Sequence, residues 1–334
     1  MSSGYVKAKH QAAGHDGNFT DEQQTLFFKP TNSVEVEFYQ SLSQKSSRAE
    51  DNDDMDLNSW TPTFLGTLQL GVSENVTANA SIQNTDFELP KIDATISNES
   101  PIPMNHNKPI IVLENLLQRF KSPNIMDVKL GKVLYDDSSS EDKKLRLQKV
   151  STDTTSGTLG FRICGLKIQQ NKRSIELDTD YCELDNEGYV GVNKFYGRSL
   201  TADNVKEAFE LYFAHDALNQ PRKDTLWDVF HKRLMLLYNT LLDEDVRLIS
   251  SSLLFIYEGD PSSWDELDDH HELLTNDYEP EMSDSEDEGK NGNVLSSLSL
   301  IDFAHSKHVP GQGYDENVIM GVESLLGIFS ATSS

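Results

Sequence analysis

The longest periodic stretch of the chain runs from about Arg222 to Ile249. There Leu226, Val229, Phe230, Leu234, Leu237, Leu241 and Leu242 recur at three- and four-residue steps, the stripe of an amphipathic helix. The segment DNVKEAFELYF (203–213) has the same spacing and opens on Asp203, an expected N-cap. A final helix is expected over 314–329, and a short one over 33–42 (SVEVEFYQSL). Short apolar runs rich in β-branched and aromatic residues predict strands at TLFFK up to Lys29, PIIVLE (109–114), LGFRICGLKI (159–168), SSLLFIYEG (251–259) and SLSLIDF (297–303). WTPTFLGTLQL (60–70) reads as strand and turn. The stretches 43–58 and 73–107 are polar, rich in Ser, Asp and Asn, and read as loop or insertion. The pattern predicts a mixed chain, with a small N-terminal lobe and a larger, denser C-terminal one.

Charge changes this picture more than overall composition does. The 334 residues carry a formal net charge of -26. The acids are concentrated: EDNDDMD (50–56) holds five, and residues 265–288 hold twelve with no Lys or Arg. Without those two stretches the remainder stands near -9, a balance that still permits a local basic pocket for an anion. The excess argues against nonspecific DNA binding, which needs a basic face. No apolar run approaches the roughly 18–20 residues that span a bilayer. The first residues, MSSGYVKAKH, lack the apolar core of a secretory signal, and Cys164 and Cys182 make no disulfide framework or metal-spacing motif. A cytosolic or nuclear setting is expected.

The chemistry centres on PNIMDVKLG (123–131). On an extended segment, Asp127 and Lys129 project from one face. Phosphoryl transfer uses such a pair, a carboxylate for a hydroxyl or metal and a cation for the moving phosphate. The pair alone is common on protein surfaces. The flanking Pro123 and Gly131 complete P-x-x-x-D-x-K-x-G, which resembles the signature of the inositol polyphosphate kinases. SSLLFIYEGD, IDFAH (301–305), LGFRICGLKI, FYGRSLT (195–201) and FKP followed by VEVEFY (28–39) are similar to further segments of that family, in family order. GYDENVI (313–319) and the acidic stretch before IDFAH resemble the fungal multikinase branch.

The resemblance implies an α+β, two-lobed fold, distantly protein-kinase-like, with an ATP cleft between a β-rich lobe (1–116, carrying a polar insertion at about 43–107) and a larger catalytic lobe (117–334). Lys29 then matches the lysine on the nucleotide's α- and β-phosphates. Glu35 matches the helix glutamate that orients it, with Glu37 as local competitor. Glu114 and Leu116 match the hinge, whose backbone meets the adenine edge. The glycines of Gly14-His15-Asp16-Gly17 match a phosphate-covering loop. Asp302 matches the metal-binding aspartate, which would hold Mg (or Mn) with ATP. Asp127, lying between ribose and inositol, either accepts the proton of the attacking hydroxyl or positions it, and Lys129 holds an inositol phosphate and the γ-phosphate. Ser252 matches a serine near the catalytic centre.

For the acceptor, the resemblance implies a basic helix over about 138–152. Lys143, Lys144, Arg146 and Lys149 lie there, though they do not all share one face. Lys194 and His305 match further substrate-side positions. Arg162 and Lys167 are read as strand surface. The implied activity is that of an inositol polyphosphate multikinase, converting inositol 1,4,5-trisphosphate to the tetrakis- and pentakisphosphate. A trisphosphate 3-kinase, a hexakisphosphate kinase and a non-catalytic acidic scaffold stay open as alternatives. The acidic loop (about 268–293) reads as disordered, with Ser283 and Ser285 set among acids as acidophilic kinases favour. It suits docking to basic DNA-binding transcription factors. Nucleus and cytoplasm are the expected locations.

Overall fold

The computed structural model describes residues 5–12, 17–46, 56–68, 108–274 and 292–330. The N-terminal part builds a five-stranded antiparallel sheet from β1 (Tyr5–Lys7), β2 (Phe19–Asp21), β3 (Leu26–Pro30), β4 (Phe64–Leu68) and β5 (Ile110–Glu114), in the order β1-β2-β3-β5-β4. Helix α1 (Ser33–Ser46) follows β3 and buries Phe38, Tyr39 and Leu42 against the core. It is one turn longer than the sequence pattern suggests. Part of the expected polar insertion is therefore ordered structure: its first residues finish α1, and Phe64–Leu68 forms an edge strand of this sheet. Leu57–Trp60 adds a single 3-10 turn, while insertion residues 47–55 and 69–107 lie outside the described residues.

The larger part is organised on a six-stranded antiparallel sheet. Its strands are β6 (Pro123–Leu130), β7 (Phe161–Gln169), β8 (Cys182–Leu184), β9 (Tyr189–Val192), β11 (Ser252–Glu258) and β12 (Ser296–Ile301), in the order β12-β11-β6-β7-β9-β8. A two-stranded ladder joins β10 (Val246–Leu248) to β13 (Ser306–His308). The helices are α2 (Glu141–Thr152), α3 (Thr155–Leu159), α4 (Lys194–Ser199), α5 (Val205–Phe213), α6 (Gln220–Asp243), α7 (Pro261–Glu266) and α8 (Glu316–Ser330). The periodic stripe does face inward: Leu226, Phe230, Leu234 and Leu237 are fully buried on α6. That helix starts earlier than its apolar stripe, because Asn219 caps it through the Arg222 N–H at 3.0 Å. It also stops earlier, because Val246 and Leu248 are taken up by β10. Asp203 is not the cap of α5. That place is held by Asn204, whose side chain instead accepts the Thr201 N–H at 2.7 Å.

The two ends of the acidic stretch meet on one buried side chain. Arg233 of α6, 1% exposed, donates to the carbonyls of Glu272 and Leu273 on one side and to Ser296 Oγ (2.8 Å) and O (2.9 Å) on the other. Residues 275–291, with Ser283 and Ser285, lie outside the described residues.

Candidate active site

Strand β6 carries the signature segment through the middle of the larger sheet, with β11 on one side and β7 on the other. Its flanking residues have local duties. Pro123 opens the strand opposite Glu258. Gly131 closes it at φ +94°, where a Cβ would lie 2.4 Å from Asn317 Nδ2. Asn317 Oδ1 accepts the N–H groups of Lys132 and Val133, both at 2.7 Å, so the turn after Lys129 is tied to α8. Glycine answers both the conformation and the crowding.

Between the two sheets lies a cavity of about 580 Å³, whose walls include Lys29, Glu114, Leu116, Asp127, Lys129 and Asp302. Lys29, near the end of β3, reaches Glu35 Oε1 at 2.8 Å and Asp302 Oδ1 at 2.7 Å. Burial alone would depress this ammonium, but the charges of Asp302 and Glu35 hold it well above the ordinary lysine value. Glu35, not Glu37, is the partner. It is fully buried on α1, accepts the Phe303 N–H at 2.9 Å and is bonded by the Thr31 hydroxyl. One carboxylate thus links β3, α1 and the segment after β12.

Asp302 follows β12 at φ +68°, a left-handed conformation that costs a non-glycine residue energy. The turn aims its carboxylate back into the cavity, where Oδ2 lies 3.7 Å from Lys129 Nζ. Lys129 also donates to Ser250 O at 2.6 Å. Asp127 is 4% exposed, and its Oδ1 has no hydrogen-bond partner among the described residues. Burial lifts its carboxyl to about 6, with Lys129 opposing the rise, Asp302 adding to it, and the Ser252 side chain and Arg162 opposing it more weakly. A buried carboxylate oxygen without a partner is costly. In a cleft it marks a place where a ligand supplies the missing contact. Oxygen donors of this kind suit a hard divalent cation.

The remaining expected site residues divide. Glu114 and Leu116 border the cavity, but the Glu114 carboxylate turns away to the N–H and hydroxyl of Thr63, pinning β4. Any nucleotide contact there falls to backbone. On α2, Lys144 pairs with Glu141 at 3.0 Å, Lys149 pairs with Asp153 at 2.8 Å, and Arg146 is exposed. Lys143 Nζ lies 3.5 Å from His305 Nε2, and neither of the two, nor Lys144, Arg146 or Lys149, is among the residues that line the cavity. His305 is held by Asp136 through Nδ1, and hydrogen bonds from Ser138, Ser139 and His305 outweigh burial to keep the Asp136 carboxyl low, at about 2. Lys194 stands at the cavity wall on α4, over the Phe195 ring at 5.6 Å. Of the expected phosphate-covering loop, Gly14, His15 and Asp16 lie outside the described residues.

Arg162 departs from its reading as strand surface: it lines the cavity beside Asp127 and Lys129. Lys167 does not line it and is paired with Asp185. A β-bulge sets the position of Arg162: Asp127 pairs with Gly165 but Val128 pairs with Ile163, so Cys164 is the extra residue and Arg162 comes opposite Lys129, whereas Lys167 lies further along the strand opposite Ile125. Cys164 and Cys182 are both free thiols, and burial, reinforced by Asp127, pushes the Cys164 thiol up to about 11. Gly165 is needed here as well, since a Cβ would stand 2.1 Å from Ala12 O. The N-terminal segment passes directly over the sheet at this point. Arg198, Asp136 and the Ser250 carbonyl were likewise not singled out by sequence reasoning, because each reaches the site through tertiary packing.

Comparison with known proteins agrees with this geometry. The sequence profile of the family described as inositol polyphosphate kinase matches residues 110–330. The chain is 46% identical over 348 residues to the inositol polyphosphate multikinase of Saccharomyces cerevisiae, spanning 97% of this chain and 98% of that protein. It is 29% identical over 320 residues to the inositol polyphosphate multikinase of Schizosaccharomyces pombe, spanning 96% and 95% respectively. The crystal structure of an inositol phosphate multikinase from S. cerevisiae in complex with ADP and Mn2+ matches with a TM-score of 0.73 and 44% identity, over 93% of this chain and all of the other.

Proposed function

The chain belongs to the inositol polyphosphate kinase family, and on that premise we propose that it phosphorylates inositol trisphosphate to the tetrakis- and pentakisphosphate at the cleft between its two sheets. The observation that carries this reading is the convergence of Lys29, Asp127, Lys129 and Asp302 on one cavity, with the buried Glu35 bonded to Lys29 from behind. Lys29, oriented by Glu35, holds nucleotide phosphates, as a lysine–glutamate pair does in protein kinases. Asp302 would hold Mg or Mn, and such an ion would supply neutralisation of the charge on the phosphates. Asp127, with its unpartnered oxygen, accepts a hydrogen bond from the attacking ring hydroxyl and takes its proton. Lys129 draws the acceptor and the transferring phosphoryl group together. Lys143, Lys194 and His305 extend the cationic side toward the other phosphates of the acceptor, while Lys144, Arg146 and Lys149 contribute to the general field of α2.

Purified protein is expected to consume ATP only when inositol trisphosphate or tetrakisphosphate is supplied, with the products resolved by ring position. No turnover with either acceptor would sink the reading. A second role rests on the acidic stretch, where NDYEPEMSDSEDEG (276–289) has seven acids and no basic residue. Such a segment suits a basic partner surface, as on a DNA-binding transcription regulator, and the role we propose for it is one exercised in nucleus and cytoplasm. Deleting 276–289 is expected to spare turnover and weaken binding to a basic protein. Equal binding by the deleted and full chains would remove this role.

A further inference from the structure

We infer that Arg162 is an acceptor-phosphate ligand, forming with Lys129 a two-cation clamp for one phosphate group of the inositol substrate; this rests on the kinase reading above. The inference begins from strand register. Arg162 on β7 is the direct cross-strand partner of Lys129 on β6, so both side chains leave the same face of the sheet, and both line the cavity. Like charges set directly opposite one another destabilise a sheet. Asp127, which feels both cations, and Asp302, 3.7 Å from Lys129, offset part of that cost, and an anion seated between the two cations offsets more of it.

The two cations are answered unequally. Lys129 has the Ser250 carbonyl at 2.6 Å and the Asp302 carboxylate at 3.7 Å. Among the described residues, Arg162 makes one side-chain hydrogen bond, from Nη1 to Ser156 Oγ at 3.0 Å, and no carboxylate lies within ion-pair distance of it. A guanidinium offers five N–H donors in a planar fork that matches phosphate oxygens. The bond to Ser156 fixes the plane and leaves most of the fork for a ligand.

Position on the sheet decides which phosphate is held. The order is β12-β11-β6-β7, with Asp302 following β12, Lys129 on β6 and Arg162 on β7. Arg162 therefore stands on the far side of Lys129 from Lys29 and Asp302, the groups assigned to the nucleotide. Beyond it, Lys194 and Arg198 of α4 continue the cationic wall. The clamp faces the acceptor, next to the carboxylate that meets the attacking hydroxyl.

The test compares Arg162→Gln and Arg162→Lys with the unaltered full-length protein, using inositol trisphosphate as probe. Acceptor KM is measured at saturating ATP, ATP KM at saturating acceptor, and acceptor Kd by calorimetry in the presence of ADP. The expected result for Arg162→Gln is an acceptor KM and Kd raised about tenfold or more, with ATP KM within about twofold of the original. Arg162→Lys, which keeps the charge and loses the fork, should fall between. Acceptor values unchanged in Arg162→Gln, or ATP KM rising in parallel, would overturn the inference. Ser156→Ala separates tethering from binding: an acceptor Kd moved as far as in Arg162→Gln would assign the effect to the tether and also overturn it. Calorimetry keeps the two readings apart. An unaltered protein that binds the probe without turning it over refutes the kinase reading, whereas turnover with an indifferent Arg162→Gln refutes only the clamp.

Discussion

The two ends of strand β6 handle buried polar groups in opposite ways. At its start, Asn124 is fully buried; it accepts the Gln169 N–H at 2.7 Å and donates to the Ser122 carbonyl and to Gln169 Oε1, both at 3.3 Å. Beside it Glu258, 1% exposed, accepts backbone N–H groups from Lys121 (2.6 Å), Ser122 (2.9 Å) and Asp260 (2.7 Å). Toward its end, Asp127 Oδ1 and the neighbouring Ser252 Oγ are equally buried and make no hydrogen bond within 3.5 Å among the described residues, the Ser252 side chain standing near enough only to oppose slightly the rise of the Asp127 carboxyl. The chain can satisfy buried carboxylates, and does so at one end of the strand. Leaving Asp127 unsatisfied at the other is the signature of a group kept for a ligand.

This contrast is open to attack by mutation. The largest effect is expected from Asp127→Asn, which preserves shape but removes the proton acceptor. Turnover of inositol trisphosphate should fall about a thousandfold with the circular dichroism spectrum unchanged. A loss of folded structure instead would place Asp127 with the structural end. The mirror experiment is Glu258→Ala, which strands three backbone donors. It should cost about 3 kcal/mol in urea unfolding while kcat stays within about threefold, and a large fall in kcat with intact stability would break the comparison.

Acidity sharpens it further. Asp127 has a folded-state value of about 6, above the ordinary carboxylate value of 3.8. Its ionised form therefore costs stability in full above pH 6, and the cost disappears as pH falls below 3.8. Asp127→Asn should consequently be the more stable protein at pH 8, by on the order of 2 kcal/mol, with the gain vanishing near pH 4. Urea titrations at the two pH values measure this, and a variant less stable at pH 8 would contradict it. The smallest effect is expected from Glu35→Gln, because Asp302 still holds Lys29. ATP KM should rise about tenfold and acceptor KM little; equal shifts in both would deny the nucleotide-side assignment.

The sequence made the centre of the site legible because its chemistry is packed into short segments with fixed internal spacing. Asp127 and Lys129 lie two residues apart on one strand, and Lys29 and Asp302 each end an apolar strand. The burial of α6 followed from a stripe long enough to be unambiguous. What could not be read depends on alignment between strands. Arg162 alternates with Phe161 and Ile163 as any surface residue would, and only the register against β6 and the bulge at Cys164 bring it to Lys129. The lysines of α2 show the converse. Their composition promised an anion site, but Lys144 and Lys149 find carboxylates on their own helix or at its cap. Three-residue strands such as β2, β8 and β13 carry too few residues for periodicity to declare them.

The Arg233 knot bears on how this protein can change over generations. Since one buried guanidinium fastens both Glu272–Leu273 and Ser296, the strand that leads to Asp302 is anchored independently of the sequence between them. Lengthening a connection whose ends are already fixed costs little, roughly 0.6 kcal/mol per doubling. The acidic stretch is thus a place where residues can be gained, lost or exchanged with small effect on the chemistry nearby, a site of free evolutionary experiment attached to a constrained machine.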